Sequence, residues 1–225
     1  MRTIKIYIEG KSDLLFVSQF LKSLLGLEFN VDIKTWKATY TVEKKLKVSL
    51  QTMTPKDGEG GINSDKIYDL IQEIKLVNSS KGVESIILLD ADTAEHKHPQ
   101  GGFNARRDYL ADFSKDAYFK YFIIPDHNND GNLESILDRI VCARGTEFYK
   151  CLNQYVSGLL SLKGEERPQY IIDNPKLEKE KINWYVYMME GKKGSSKNPL
   201  DNSSLWDFNS TALDPLKDFF RRIFS

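Results

Sequence analysis

The sequence has little of several features by which protein classes are commonly recognised. Its 225 residues include only two cysteines, Cys142 and Cys151, and neither has Cys or His neighbours at the spacing of a zinc site. No apolar run approaches the roughly 20 residues of a membrane-spanning helix. A strand-like segment follows Met1 directly, where a signal peptide would otherwise lie. These absences predict reduced cysteines and a cytoplasmic protein with no membrane partner.

The chain also lacks an excess of charge of either sign. Its 32 basic residues balance 32 acidic ones, so a nucleic-acid partner would need a local basic patch. With 40% hydrophobic and 28% charged residues, the chain is typical of a globular protein with one sizeable core. Composition leaves the oligomeric state open.

Strand-like and helix-like segments alternate along most of the chain. Strands are predicted at 3–9, 27–36, 44–53, 83–90 and 118–125, and helices at 12–26, from Ser64 onward, around 104–116 and at 131–141. This alternation predicts an α/β fold with a mainly parallel central sheet flanked by helices. We expect one such domain over residues 1–145, with residues 146–225 forming a helical extension packed on the same domain.

The segment EGKSD, residues 9–13, places Gly-Lys-Ser between a predicted strand and a predicted helix. A phosphate-binding P-loop needs a second glycine five residues before this triplet, and that position is Lys5. The segment is therefore not a P-loop, and it does not indicate a nucleotide triphosphatase. The residues left for functional interpretation are Glu9 at the strand end, Asp13 in the first helical turn, and Lys11 between them.

Three apolar strands end in acidic residues. Glu9 follows the first, Asp90 and Asp92 follow IILL, and Asp126 follows FIIP. If these strands are parallel neighbours, the carboxylates gather at one sheet edge, where so many like charges require a cation. Hard oxygen ligands select Mg²⁺ or Mn²⁺.

Each of these residues also has a structural interpretation. Acids at strand ends serve as helix caps and turn formers, and Asp13 would be stabilised by the helix dipole without any function. Lys11 can be a solvated charge. Arg106 and Arg107, which open a predicted helix, either bind substrate phosphate or are ordinary surface arginines.

EGKSD at 9–13 and LLDAD at 88–92 resemble the two signature motifs of the Toprim domain of topoisomerases, bacterial primases, ribosomal-RNA maturases and overcoming-lysogenization-defect nucleases. The segments PDHNNDGNLESIL and WDFNSTALDPLKDFF are similar to a family of small stand-alone Toprim-like proteins. The resemblance implies a Rossmann-like Toprim fold, in which Asp90 and Asp92 bind Mg²⁺ and Glu9 is the general acid or base. It also implies that Glu134 lies near the metal.

We therefore expect Mg²⁺-dependent phosphoryl transfer on nucleic acid, with Glu9 and Asp13 catalytic and with Asp90, Asp92, Glu9, Asp126 and Glu134 as the candidate metal ligands. Lys11, Arg106 and Arg107 are the candidate substrate contacts. The alternative is a non-catalytic Toprim-like module that binds nucleic acid, a nucleotide or a partner protein.

Three further motifs compete with this interpretation. DADTA resembles the Asp-x-Asp-x-Thr/Val motif of haloacid-dehalogenase phosphatases, but its fifth residue is Ala94. DHNNDG at 126–131 matches the start of a calcium-binding EF-hand loop. The twelfth position of such a loop requires an acidic residue, and here it is Leu137. His96 and His98 form a zinc-like pair without a third ligand nearby.

Overall fold

A computed structural model describes residues 1–42, 45–53, 64–94, 101–166, 168–169, 177–191, 200 and 202–225. The strands are β1 (Arg2–Ile8), β2 (Asn30–Asp32), β3 (Lys37–Val42), β4 (Leu46–Thr52), β5 (Val83–Asp90) and β6 (Phe119–Ile124). The α-helices are α1 (Lys11–Leu25), α2 (Ser64–Lys81), α3 (Phe103–Ala117), α4 (Leu133–Leu137), α5 (Thr146–Ser161), α6 (Glu178–Glu190) and α7 (Asp214–Phe224). In this part of the chain, no helix is both long enough and apolar enough to cross a membrane.

The six strands form one mostly parallel sheet in the order β2-β3-β4-β1-β5-β6. β1 is parallel to both of its neighbours, β4 and β5, and β5 is parallel to β6. β2 and β3 add an antiparallel edge. The predicted α/β class with a mainly parallel sheet is confirmed, and it belongs to the Rossmann-like type.

Helices cover both faces of this sheet because its central strands are apolar on both sides. Ile87 and Leu89 of β5 join a buried cluster that also contains Ile67 and Ile71 of α2 and Leu110 of α3. The neighbouring side chains of β5, Ile86 and Leu88, are buried as well. On α1 and α7, the rings of Phe20 and Phe220 pack with their centroids 5.9 Å apart.

The predicted single strand at 27–36 differs from the observed structure. Residues 33–36 form a turn between β2 and β3, and Trp36 has a left-handed backbone with φ of 49°. Side-chain oxygens of Asp32 accept hydrogen bonds from the Lys34 N–H at 2.9 Å and the Thr35 hydroxyl at 2.7 Å. This local capping outweighs the alternating pattern and folds the segment into a hairpin.

The chain forms two compact units. The first contains Met1–Leu133 and Thr211–Ser225, and the second contains Glu134–Ser210. These limits differ from the expected division after residue 145, since the last helix belongs with the sheet. The packing of a helical extension on the sheet domain stays a prediction.

The second unit has its own polar and aromatic core. The Lys181 ammonium donates to Asp138 at 2.7 Å, and the Tyr149 hydroxyl donates to the other oxygen of the same carboxylate. Burial and this bond to an anion raise the pKa of Tyr149 far above its ordinary value. Tyr185 is completely buried and packs edge-to-face on Tyr149 with ring centroids 5.1 Å apart. An ion pair and a buried hydrogen bond therefore contribute to the core of this unit in addition to apolar burial.

A glycine permits this packing. A Cβ atom at Gly145 would lie 2.8 and 2.9 Å from ring carbons of Tyr185. We expect Gly145→Ala to lower the free energy of unfolding by about 1–3 kcal/mol because the ring would have to move. Gly158→Ala is the matched control, since nothing lies within 4 Å of its Cβ position in α5, and it should stabilise the helix by about 0.5–1 kcal/mol. Urea unfolding of both variants measures the contrast, and equal changes would contradict the assigned packing.

Candidate carboxylate site at the sheet edge

The carboxyl ends of β1 and β5 meet at the point where the connections of the sheet diverge. The chain leaves β1 through α1 toward β4 on one side, and it leaves β5 through α3 toward β6 on the other. In open α/β sheets, ligands bind in the crevice at such a topological switch point. Glu9 follows β1 and Asp90 ends β5, so both residues lie at this crevice.

Glu9 and Asp90 are brought together by strand pairing. Ile8 pairs with Leu88 in the parallel register, which places the two strand ends side by side. The backbone N–H of Asp90 donates to the Glu9 carboxylate at 3.4 Å. Glu9 and Asp90 therefore lie close together as predicted, and the contact joins the side chain of Glu9 to the backbone of Asp90.

Asp13 joins the site from the first turn of α1. Its carboxylate accepts the backbone N–H of Gly10 at 3.1 Å, which is one half of a capping box, because the N-cap residue Gly10 has no side chain to accept a bond in return. The residue is nevertheless buried, and its charge acts on Glu9. Asp13 thus has the structural role that its position predicts, and it also contributes to the electrostatics of the crevice.

Asp92 is held by both its backbone and its side chain. It has a left-handed conformation with φ of 58°, and it forms an antiparallel bridge with Gly131. The Asp92 N–H donates to the Gly131 carbonyl at 2.6 Å, and the Gly131 N–H donates back at 3.0 Å. Such backbone strain persists only where surrounding contacts over-determine it, and it is common at functional sites.

Arg106 is the counter-ion of Asp92. Its Nη2 lies 2.8 Å from the Asp92 Oδ2 atom, and the arginine side chain is only 1% exposed whereas that of Asp92 is 25% exposed. The predicted phosphate contact is therefore an interior residue, positioned in the first turns of α3 against a carboxylate. This pairing across 14 residues could not be read from the sequence.

The crowded charges change the acidity of Glu9. Burial of its carboxyl group, followed by the charges of Asp13 and Asp92, raises the pKa of Glu9 from 4.5 to about 7. The Arg106 guanidinium and the Asp90 N–H act in the opposite direction. A carboxyl group that exchanges its proton near neutral pH is suited to general acid or base chemistry.

The loop 126–131 supports the site from β6. The Asp130 carboxylate accepts the N–H of Phe103 at 2.6 Å and so caps the N-terminus of α3, while Gly131 pairs with Asp92. The Asn-Asp-Gly sequence of this loop is a local turn signal, whereas its contacts with α3 and Asp92 are long-range.

Removing the Asp130 cap tests this support. We expect Asp130→Ala to lower the free energy of unfolding by about 0.5–2 kcal/mol, since the first turn of α3 loses an acceptor. Asp108→Ala, in an exposed position of the same helix, should change it by less than about 0.5 kcal/mol. Denaturant unfolding gives both values, and similar values for the two variants would show that Asp130 does not cap the helix.

Asp126 acts as a turn former. Its carboxylate accepts the backbone N–H groups of Asn128 at 3.2 Å and Asn129 at 2.9 Å, and the Asn129 side-chain amide at 3.0 Å. It lines a groove of about 580 Å³ with the next residue, His127, and with Arg222 of α7. A metal role for Asp126 stays a prediction.

The other predicted substrate contacts have local partners. The Lys11 ammonium lies 5.1 Å from the centre of the Trp36 ring. Arg107 pairs with Asp108 at 2.8 Å and lies 5.6 Å from the centre of the Phe103 ring. Both arrangements are typical cation–π contacts of solvent-accessible side chains. Their contact with substrate stays a prediction.

Glu134 lies in α4 and belongs to the second compact unit, so its predicted approach to the metal stays a prediction. His96 and His98 lie outside the described residues. Within the residues that the structure describes, no group of three or more His, Cys, Asp or Glu side chains is placed so that it could hold a metal ion.

Comparison with known proteins assigns the chain to a family. A family model with the description Protein of unknown function (DUF3226) matches residues 3–225. The chain belongs to the DUF3226 family. A crystal structure of hypothetical protein PH0156 from Pyrococcus horikoshii OT3 is similar to this DUF3226 protein with a TM-score of 0.47 and 13% sequence identity, over 99% of this chain and 90% of the other. No curated protein sequence matches this chain.

Proposed function

We propose that this DUF3226 protein cleaves phosphodiester bonds of nucleic acid in a reaction that depends on Mg²⁺ or Mn²⁺. The observation that carries the proposal is the convergence of Glu9, Asp13 and Asp92, with Arg106 beside them, at the switch point of the sheet. The position of the EGKSD and LLDAD motifs at adjacent parallel strand ends further supports the proposed Toprim-type fold.

The donor set fits a hard divalent cation. Burial first, and then the charges of Asp13 and Asp92, raise the pKa of Glu9, while a single guanidinium, that of Arg106, acts against them. Mg²⁺ usually takes only one or two carboxylates and keeps its waters, so an enclosing set of three protein ligands is not required. Asp90 and Asp92 would hold the ion. The chemistry supplied by the bound ion is stabilisation of negative charge on the attacked phosphate.

The protein's own residues divide the remaining tasks. Glu9 exchanges a proton with the attacking water or the leaving oxygen, since its pKa of about 7 populates both forms at neutral pH. Arg106 orients Asp92 through their ion pair, and Gly131 fixes the Asp92 backbone. Asp13 holds the start of α1 beside Glu9.

A cleavage assay tests the proposal. Single- and double-stranded DNA and RNA are incubated with the full chain in Mg²⁺, in Mn²⁺ and in chelator. We expect metal-dependent cleavage that is lost in Asp90→Asn but retained in Asp69→Asn, a control in α2. Cleavage that is equal in Asp90→Asn and wild type, or equal in chelator, would show that the carboxylates do not carry the activity.

A second candidate has an observation in its favour. The Arg106 guanidinium compensates the charge of Asp92, as expected of a Toprim-like scaffold that binds nucleic acid, a nucleotide or a partner protein without turnover. Retained nucleic-acid binding, with no cleavage under any metal, would support this alternative over the enzyme.

A further inference from the structure

Arg106 has more hydrogen-bonding capacity than its surroundings use. Its side chain is 1% exposed, and Nη2 forms an ion pair with Asp92. Its Nε and Nη1 atoms are buried and have no hydrogen-bond partner among the described residues. Leaving a buried charged donor unsatisfied is unfavourable by a few kcal/mol, so such groups are rare unless a ligand completes them.

The location of these donors indicates what the ligand is. A guanidinium presents five donors in a plane, which match the oxygens of a phosphate or a carboxylate. The charge of Arg106 is close enough to Glu9 to lower its pKa, so Arg106 lies among the carboxylates that we propose as the metal site. Under the proposed function, the anion that this site has to accommodate is the phosphate group of the substrate.

We propose that Arg106 is a phosphate subsite that changes partner when the site is loaded. A divalent cation takes over the carboxylate of Asp92, and the guanidinium of Arg106 then binds a phosphate oxygen. The consequence is that the cation and the phosphate bind with positive cooperativity. This inference rests on the proposed function, because it requires a cation at Asp92.

The cooperativity follows from the cost of a buried, unpaired charge. A cation that binds Asp92 alone competes with Arg106 and leaves its guanidinium without an anion, which is strongly unfavourable inside a protein. A phosphate removes this penalty by pairing with the guanidinium. By linkage, each ligand must then tighten the binding of the other by the same factor, about 5- to 150-fold for a typical coupling.

Calorimetry of Mn²⁺ binding to the full chain, with and without inorganic phosphate, tests the inference. In wild type we expect phosphate to tighten Mn²⁺ binding by at least about fivefold. In Arg106→Met, Mn²⁺ alone should bind roughly tenfold more tightly than in wild type, since a competing positive charge is gone. Phosphate should then have no further effect.

Two more variants complete the design. Arg106→Lys keeps the charge but loses the planar donor array, so Mn²⁺ alone should bind as in wild type and the phosphate effect should shrink. This variant decides the question if Arg106→Met does not fold. Arg221→Met, which removes an exposed arginine of α7 paired with Asp218, is the control and should match wild type in both titrations.

The outcomes separate the two proposals. Absence of Mn²⁺ binding in wild type, with and without phosphate, would defeat the metal site and with it this inference. Mn²⁺ binding that phosphate does not change, or a phosphate effect that is identical in the Arg106 variants and in wild type, would overturn the inference alone and leave the proposed metal site intact.

Discussion

Glu9→Gln is expected to reduce metal-dependent cleavage by about 10²- to 10⁴-fold, the usual contribution of a general acid or base. The amide has nearly the same shape and can still accept the Asp90 N–H, but it cannot exchange a proton. Because the variant also removes a charge from a crowded acidic site, the fold should be retained. Initial cleavage rates, measured with saturating Mg²⁺, give the expected difference.

The same substitution has a stability effect with a defined pH dependence. The pKa of Glu9 is raised from 4.5 to about 7 on folding, so the folded protein binds this proton more tightly than the unfolded chain. The resulting stabilisation is full below about pH 4.5 and is lost as the pH rises through about 7. Glu9→Gln should therefore be more stable than wild type above pH 7, by on the order of 1–2 kcal/mol.

Glu28→Gln is the matched control, because Glu28 is an exposed residue after α1 that pairs with Lys22. It should change neither the cleavage rate nor the pH dependence assigned to Glu9. If Glu9→Gln and wild type lose stability in parallel between pH 4.5 and 7, the carboxyl group of Glu9 does not titrate as the site requires.

Arg106→Met is expected to destabilise the protein by about 2–4 kcal/mol. The variant leaves the carboxylate of Asp92 without its counter-ion beside Glu9 and Asp13, and truncation of a buried ion pair at one partner is usually strongly unfavourable. Asp92 is 25% exposed, which reduces the expected loss below that of a fully buried pair. Thermal unfolding should show a Tm lower by roughly 5–15 °C.

A double-mutant cycle isolates the ion pair from the packing of the arginine side chain. The combination of Arg106→Met with Asp92→Asn should be more stable than Arg106→Met alone, since the uncompensated charge is gone. Arg221→Met should change the free energy of unfolding by less than about 0.5 kcal/mol. Strictly additive effects of the Arg106 and Asp92 substitutions would contradict a significant interaction between them.

Local sequence patterns predicted those elements whose bounds are marked by their own residues. The continuous apolar run ending in Asp90 predicted β5 with its observed bounds, and Gly26 ends α1 in a left-handed conformation as a helix C-cap should. The predicted helix at 131–141 is instead the short α4, and the chain after it forms a bridge from Val141 to Trp206. That pairing is long-range, so helical periodicity could not reveal it.

The candidate site shows the same division between local and long-range information. The strand ends placed Glu9 and Asp90 together because parallel strands share one carboxyl edge. The Asp92–Arg106 ion pair and the Asp130 cap on α3 depend on how separate elements dock, which no local pattern encodes. The left-handed backbone of Asp92 is likewise imposed by its bridge to Gly131.

The most direct test of the central claim is to locate Mn²⁺ by anomalous diffraction from crystals soaked in the ion. We expect an anomalous peak at the carboxyl ends of β1 and β5, about 2.0–2.2 Å from oxygens of Asp90 or Asp92. A peak at that position would establish the carboxylates as the metal site. A fully soaked crystal with peaks only elsewhere, or with none, would contradict the claim and leave the acids of this edge as caps and counter-ions.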